Sequence, residues 1–218
     1  MLISHVRKFI YLKTYKTAGT SVEIYFEPWC LEPGTEMAPR HFREAAISQW
    51  GIVGARGFLN ETWYHHMPSE EVRALVGKEL WSEYFKFCVI RNPVDMVVSH
   101  FWYRLAPPVR ELLAQADFLV VRKTFAEWIR LASLPMNRPI YTIDGSVAVD
   151  YFIRFENLEA DLKEVCERTG VPWEPDLLGR YKGDYRVRNE HFTEYYTPAA
   201  LARVVEELAW EVDYFGYS

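Results

Sequence analysis

Apolar positions fall along this chain in two rhythms: short unbroken runs, and longer stretches where they recur every three or four residues. The runs "KFIYL" (8–12), "YFKFCVI" (84–90) and "VDYFIRF" (149–155) are aromatic and β-branched, so each predicts a buried strand. Helical spacing follows every one of them. After the first, Val22, Tyr25, Phe26 and Trp29 mark a helix running from Thr20. After the second, "RNPVDMVVSHFWYR" (91–104) predicts a helix capped by Asn92, with Pro93 at its first position and Asp95 at its positive end. After the third, Leu158, Leu162, Val165 and Cys166 form an apolar stripe that Gly170 ends.

Further helices are predicted over 40–50 ("RHFREAAISQW"), over 68–77 opened by Pro68 and Ser69, and within 106–132, where Thr124 and Glu127 form a capping box. A last helix opens at Thr197-Pro198 and is expected to bury Leu201, Val204, Val205, Leu208 and Val212. The stretch 177–192 reads as a basic loop. Strands alternating with helices predict an α/β fold, one domain over 1–218, with a mostly parallel central sheet flanked by helices.

Composition narrows the classes. Half the residues are apolar and a quarter charged, the balance of a globular protein, and the formal charge of −5 argues against nucleic acid as the main partner. Cys30, Cys88 and Cys166 are odd in number and widely spaced, so they predict buried thiols in a reducing compartment rather than disulfides or a zinc site. The apolar run near the N-terminus is too short for a signal peptide or membrane span, which places the expectation in the cytoplasm.

Chemistry concentrates in "YKTAGTSVE". The Gly-x-x-x-x-Gly-Lys-Ser/Thr phosphate loop is absent, yet Lys16 precedes Thr17, Ala18, Gly19, Thr20 and Ser21 between a strand and a helix. Small residues let a backbone close around an anion, Gly19 tolerates conformations that others avoid, and two hydroxyls lie at the helix start. The plainer alternative is a strand–turn–helix with a solvated lysine. Arg91 leaves the end of a strand and Ser99 lies two turns into the next helix, so a guanidinium fork and a hydroxyl can meet a second phosphate. Here the plainer alternative is an arginine tied to a carboxylate and a surface serine.

Together, "KTAGTS" and "FKFCVIRNPVDMVVS" resemble the two cofactor signatures of sulfotransferases that use 3′-phosphoadenosine-5′-phosphosulfate (PAPS). The closer likeness is to the bacterial family 2 type, related to the carbohydrate O-sulfotransferases. It extends through "WYHHMPSEEVRALVGKELWSEYFKFCVIRNP", "IYTIDGSVAVDYFIRFENLEADL", "YYT" and "VDYFGY".

That resemblance implies a P-loop-like sulfotransferase fold, with the 5′-phosphosulfate held by residues 16–21 and the 3′-phosphate by Arg91 and Ser99. It implies no metal, because a lysine and loop amides can offset charge on the leaving phosphate. A proton acceptor is also needed, and "WYHHMPSEE" offers His65 and His66 just before a helix. The family's base lies in this interval and aligns best with His66, leaving His65 for a structural role. The family often closes over the nucleotide with a basic segment, which here makes Lys182 and Arg186 contacts, although a charge run such as Arg180 to Arg188 is usually a solvated face. Glu156 and the remaining histidines, His5, His41, His100 and His191, read as structural or exposed. The acceptor expected is a hydroxyl on a sugar, lipid or small metabolite. Two rivals stand beside this reading, a related kinase and a nucleotide-binding module without catalysis.

Overall fold

Two short loops give the sheet its antiparallel turns. The computed structural model describes residues 1–36, 42–57, 61–179, 181 and 185–217. In chain order its elements are β1 (Leu2–Ser4), β2 (Phe9–Leu12), α1 (Gly19–Phe26), β3 (Ala46–Ile47), β4 (Gly51–Val53), α2 (Ser69–Val76), α3 (Lys78–Glu83) and β5 (Phe85–Ile90). Then follow α4 (Pro93–Arg104), α5 (Pro107–Gln115), α6 (Phe118–Leu131), α7 (Arg138–Tyr141), β6 (Thr142–Ile143), β7 (Ser146–Val147), β8 (Tyr151–Arg154), α8 (Leu158–Thr169), α9 (Pro198–Glu207) and α10 (Ala209–Phe215). They gather into two compact units, Met1–Ile90 with Asn137–Tyr181, and Arg91–Met136 with Lys182–Ser218.

The first unit holds a six-stranded sheet in the order β3-β4-β1-β2-β5-β8. Strands β2, β5 and β8 run parallel, as their helical crossovers require, but β1 is antiparallel to both β2 and β4, and β4 to β3. The sheet is therefore mixed, not mostly parallel. The reason is loop length: residues 5–8 and 48–50 are too few for a crossover, so those strands must turn back. The two-residue strands β6 and β7 make a separate hairpin. Alternate strand residues Phe9, Tyr11, Phe87, Val89 and Ile153 pack on Val22, Tyr25 and Phe26 of α1 and on Leu162, Val165 and Cys166 of α8.

The second unit is helical. Met96, Val97, Val98, Phe101 and Trp102 of α4 form its core with Val121, Phe125 and Ile129 of α6, Tyr195, Tyr196, and Val204 and Leu208 at the C-terminal helices. Trp102 Nε1 donates to the Tyr195 hydroxyl at 3.2 Å, which satisfies the buried indole.

Several sequence expectations give way to tertiary pairing. In place of the helix over 40–50, the described residues 42–50 carry β3, and Arg43 exchanges both backbone hydrogen bonds with Arg56. Helix α6 does not begin at Thr124. It begins at Phe118, where Asp117 accepts from Leu119 N at 2.8 Å, and Thr124 lies mid-helix bonding back to the Val120 carbonyl. Gly77 separates α2 from an unforeseen α3. The last helix breaks at Leu208 into α9 and α10, which turns Leu201 and Val205 to the surface at 39% and 38% exposure and leaves Val204 and Leu208 buried. Caps at Asn92 and Thr197 form as expected, and all three cysteines are buried and free.

Candidate active site

The loop after β2 is held from several sides within the first unit. Thr14 Oγ1 donates to the Val89 carbonyl of β5 at 2.5 Å and lies 2.7 Å from Thr17 Oγ1. The Tyr11 hydroxyl donates to the Gly19 carbonyl at 3.1 Å. Lys16 and Ala18 sit in the left-handed region at φ 59° and 62°, on either side of Thr17. For a residue with a Cβ this costs about 1–2 kcal/mol each. A backbone that alternates hand in this way turns successive N–H groups toward one anion.

The helix amides of Gly19 and Thr20 come before the first bond of α1, Ser21 N to Ala18 O at 2.9 Å. Gly19 itself is not left-handed, so conformational freedom is not why glycine stands there. Space is: a Cβ would meet Lys13 Cγ at 3.0 Å and the Thr14 carbonyl at 3.1 Å. Ser21 Oγ accepts from Tyr181 N at 3.2 Å. These residues fit a phosphate-bearing group, through a strained anion-facing turn with a lysine and hydroxyls at a helix start.

His66 is the third left-handed residue here, at φ 61°. Its Nδ1–H donates to the Lys13 carbonyl at 2.9 Å, and its ring stacks on Tyr15 with centroids 3.8 Å apart and planes 15° from parallel. That bond fixes the tautomer and makes Nε2 the basic nitrogen. His65 is tied elsewhere: its backbone N and its Nδ1 both bond the Ala55 carbonyl at 3.0 Å. The two rings meet edge to face at 4.7 Å. Burial pushes the His66 imidazole well below its ordinary range, and the Lys13 and His65 charges add to this; burial likewise lowers His65 to about 4. Both are therefore neutral at pH 7, and the same burial makes each a weaker base than a solvated imidazole.

The sign of the linkage follows. Folded-state values below the unfolded 6.5 mean that these histidines contribute stability above that pH and lose it as pH falls toward 4. The melting temperature should decline as pH drops from 6.5, and replacing either ring by Gln should reduce proton uptake on unfolding in that window by about one proton. A pH-independent melting temperature between 6.5 and 4.5 would contradict this assignment.

Lys13 anchors a buried ion cluster as well. Its Nζ lies 2.7 Å from Glu23 Oε2, and Arg56 Nη2 reaches Glu23 at 2.9 Å and Glu27 at 3.2 Å. Arg43 pairs with Glu27 and lies 3.7 Å from Glu23. Burial alone would raise the Glu23 carboxyl, but Lys13, the N-terminal ammonium, Arg56 and Arg43 outweigh it and hold it well below the usual carboxylate range.

In the second unit, Arg91 Nε and Nη2 reach Asp95 Oδ2 at 2.8 and 2.7 Å, while Arg186 Nη1 donates to Asp95 Oδ1 at 2.8 Å. Asp95 thus gathers the two sequence-predicted arginines, and Ser99 lies one turn further on the same helix face. Arg186 also donates to the Glu190 carbonyl at 2.6 Å. Arg188 is structural: it donates to the carbonyls of Leu113, Ala114 and Ala116 at the end of α5. Lys182, Arg180 and His41 lie outside the described residues.

His5 Nδ1 lies 3.0 Å from the Tyr84 hydroxyl and His191 Nδ1 lies 2.8 Å from Thr193 Oγ1. Among the described residues no cluster of three or more His, Cys, Asp or Glu could hold a metal ion, and no helix is long and apolar enough to cross a membrane.

Sequence reasoning missed Tyr15, Asn137, Glu23, Arg43, Arg56 and the bridging role of Asp95. Glu23 carried a signal, since a carboxylate between Val22 and Tyr25 in an apolar helix needs a buried partner. Asn137 carried none.

No protein-family model and no solved structure matches the chain. Among curated proteins, an uncharacterized protein of Archaeoglobus fulgidus is similar: the two are 34% identical over 114 residues, which span 51% of this chain and 88% of the relative.

Proposed function

We propose a function for a chain that belongs to one family with the uncharacterized Archaeoglobus fulgidus protein: PAPS-dependent transfer of a sulfuryl group to an acceptor hydroxyl. The observation that supports it most is His66. A neutral imidazole with its tautomer fixed sits beside the loop that leads into the strained turn, bonded to the Lys13 carbonyl at 2.9 Å and stacked on Tyr15. In this reading the fold is the P-loop-like sulfotransferase type, in a cytoplasmic enzyme that needs no metal. Its acceptor belongs to a sugar, lipid or small metabolite.

PAPS would be held by Lys16, Thr17, Ala18, Gly19, Thr20 and Ser21 at its 5′ end, and by Arg91 and Ser99 at its 3′-phosphate. Arg186, which lies beside Asp95, would add charge to the nucleotide site, and Lys182 of the same basic segment is proposed with it. When bound, it supplies the sulfuryl group and leaves as adenosine 3′,5′-bisphosphate. His66 Nε2 removes the acceptor's hydroxyl proton as its oxygen bonds to sulfur and the sulfur–oxygen bond to the 5′-phosphate breaks. Lys16 and the turn's amides offset the charge that develops on that phosphate. For Arg91 and Arg186 to take a phosphate, the Asp95 carboxylate between them must yield part of its hold, and a dianion competes well for two guanidiniums.

Ligand-induced stabilisation tests the nucleotide. Adenosine 3′,5′-bisphosphate at a hundredfold excess over its Kd should stabilise the fold by about 2.7 kcal/mol and raise the melting temperature well above the effect of AMP. Equal or greater stabilisation by Mg-ATP would replace this reading with a kinase.

A further inference from the structure

Asn137 opens α7, the position where an asparagine side chain ordinarily caps its own helix, yet α7 has no side-chain cap. The amide is used elsewhere. Its Oδ1 accepts from Tyr15 N at 2.7 Å and its Nδ2 donates to the Tyr15 carbonyl at 3.2 Å, a two-bond clamp across 122 positions of sequence. Asn137 is 5% exposed, so both bonds are shielded from competing water, whereas Tyr15, whose backbone they fix, is 39% exposed. That ring stacks on His66, and Lys16, the next residue, begins the left-handed turn. Helix α7 grips the histidine's side too: the Ile140 carbonyl accepts from Ser69 Oγ at 2.6 Å, three residues after His66.

We infer that Asn137 is a positioning residue, which holds the Tyr15 ring against His66 and so sets the plane in which Nε2 meets its proton donor. Its catalytic meaning rests on His66 being the base. Lys13 fixes the ring's tautomer through one hydrogen bond, about which an imidazole can still rock; the stack removes that freedom. Without the clamp, the Tyr15 backbone loses both bonds that fix its place beside His66. Tyr15 would then swing into solvent, its exposed side already facing that way.

The test uses the nucleotide-free protein, so it does not depend on the reaction. His66 ring proton resonances should be displaced upfield by the Tyr15 ring in the wild type. Tyr15→Leu should abolish that displacement, and a folded Asn137→Ala should lose most of it. Asn137→Asp, which keeps the acceptor and loses the donor, should fall between and serves if Asn137→Ala does not fold. With an acceptor in hand, kcat for Asn137→Ala should drop on the order of tenfold to a hundredfold with the KM for PAPS nearly unchanged. Unaltered His66 resonances in folded Asn137 variants, while Tyr15→Leu moves them, would overturn the inference. If the resonances move as expected and His66→Ala still turns over normally, the clamp stands and the base assignment falls.

Discussion

His66→Ala should lower kcat by about two to four orders of magnitude, the usual worth of a positioned general base, with bisphosphate affinity nearly unchanged. The separation arises because the ring touches the loop through the Lys13 carbonyl and the Tyr15 face, while the proposed phosphate contacts belong to residues 16–21. His65→Ala should act differently. Its two bonds to Ala55 brace the segment, so its removal should appear first in the melting temperature. The rate should also hold on mild acidification: burial keeps the His66 imidazole deprotonated, and the acidic limb of kcat should lie below 6.5. Measuring kcat for both variants on one acceptor checks the assignment. Near-normal turnover in His66→Ala with a dead His65→Ala would exchange their roles.

Glu23→Gln should cost about 3–5 kcal/mol of folding free energy, the scale for removing one partner of a buried ion pair. Glu23 is fully buried and shares its carboxylate among Lys13, Arg43 and Arg56. The neutral amide would remove the carboxylate that Lys13, Arg43, Arg56 and the N-terminal ammonium share. Chemical denaturation reads the effect directly as a shift in midpoint. The wild-type contribution is present above the ordinary carboxylate range and is lost progressively as pH falls from that range down through the depressed folded value. A loss below about 1 kcal/mol would mean that the cluster is poorly desolvated or nearly isoenergetic with its neutral form.

Legibility in the sequence followed the range of the forces involved. Strands β2, β5 and β8 and the helices after them were readable because their apolar residues repeat locally and nothing tertiary opposes them. The helix expected over 40–50 failed because helical spacing there competes with two long-range demands, the pairing of β3 with β4 and the pull of Glu23 and Glu27 on Arg43. Thr124 matched a capping box, but Asp117 offered an earlier cap and the apolar stripe of Val121, Phe125 and Ile129 continued back to it. The mixed sheet could have been anticipated from loop lengths had β1 and β4 been seen, yet three-residue strands leave almost no pattern.

Among the candidate residues, Lys16 and His66 of the first unit and Arg91 and Ser99 of the second stand out in the sequence as residue types in order. Their supports do not. Asn137 reaches Tyr15 from 122 positions away, and Asp95, which looked like a helix-end charge, joins Arg91 to Arg186 across 91. The left-handed turn at Lys16 and Ala18 was also invisible, because Gly19 drew attention to itself and the strain falls on its neighbours.

The central claim is sulfuryl transfer from PAPS, and sulfur-labelled PAPS tests it most directly. The protein is incubated with the label and a broad set of hydroxyl compounds in the presence of a chelator. The account predicts label on an acceptor, one adenosine 3′,5′-bisphosphate released per label transferred, and loss of both in His66→Ala. Label that stays on the nucleotide, in a protein that transfers phosphate from Mg-ATP to the same compounds or fails to bind the bisphosphate, would contradict it.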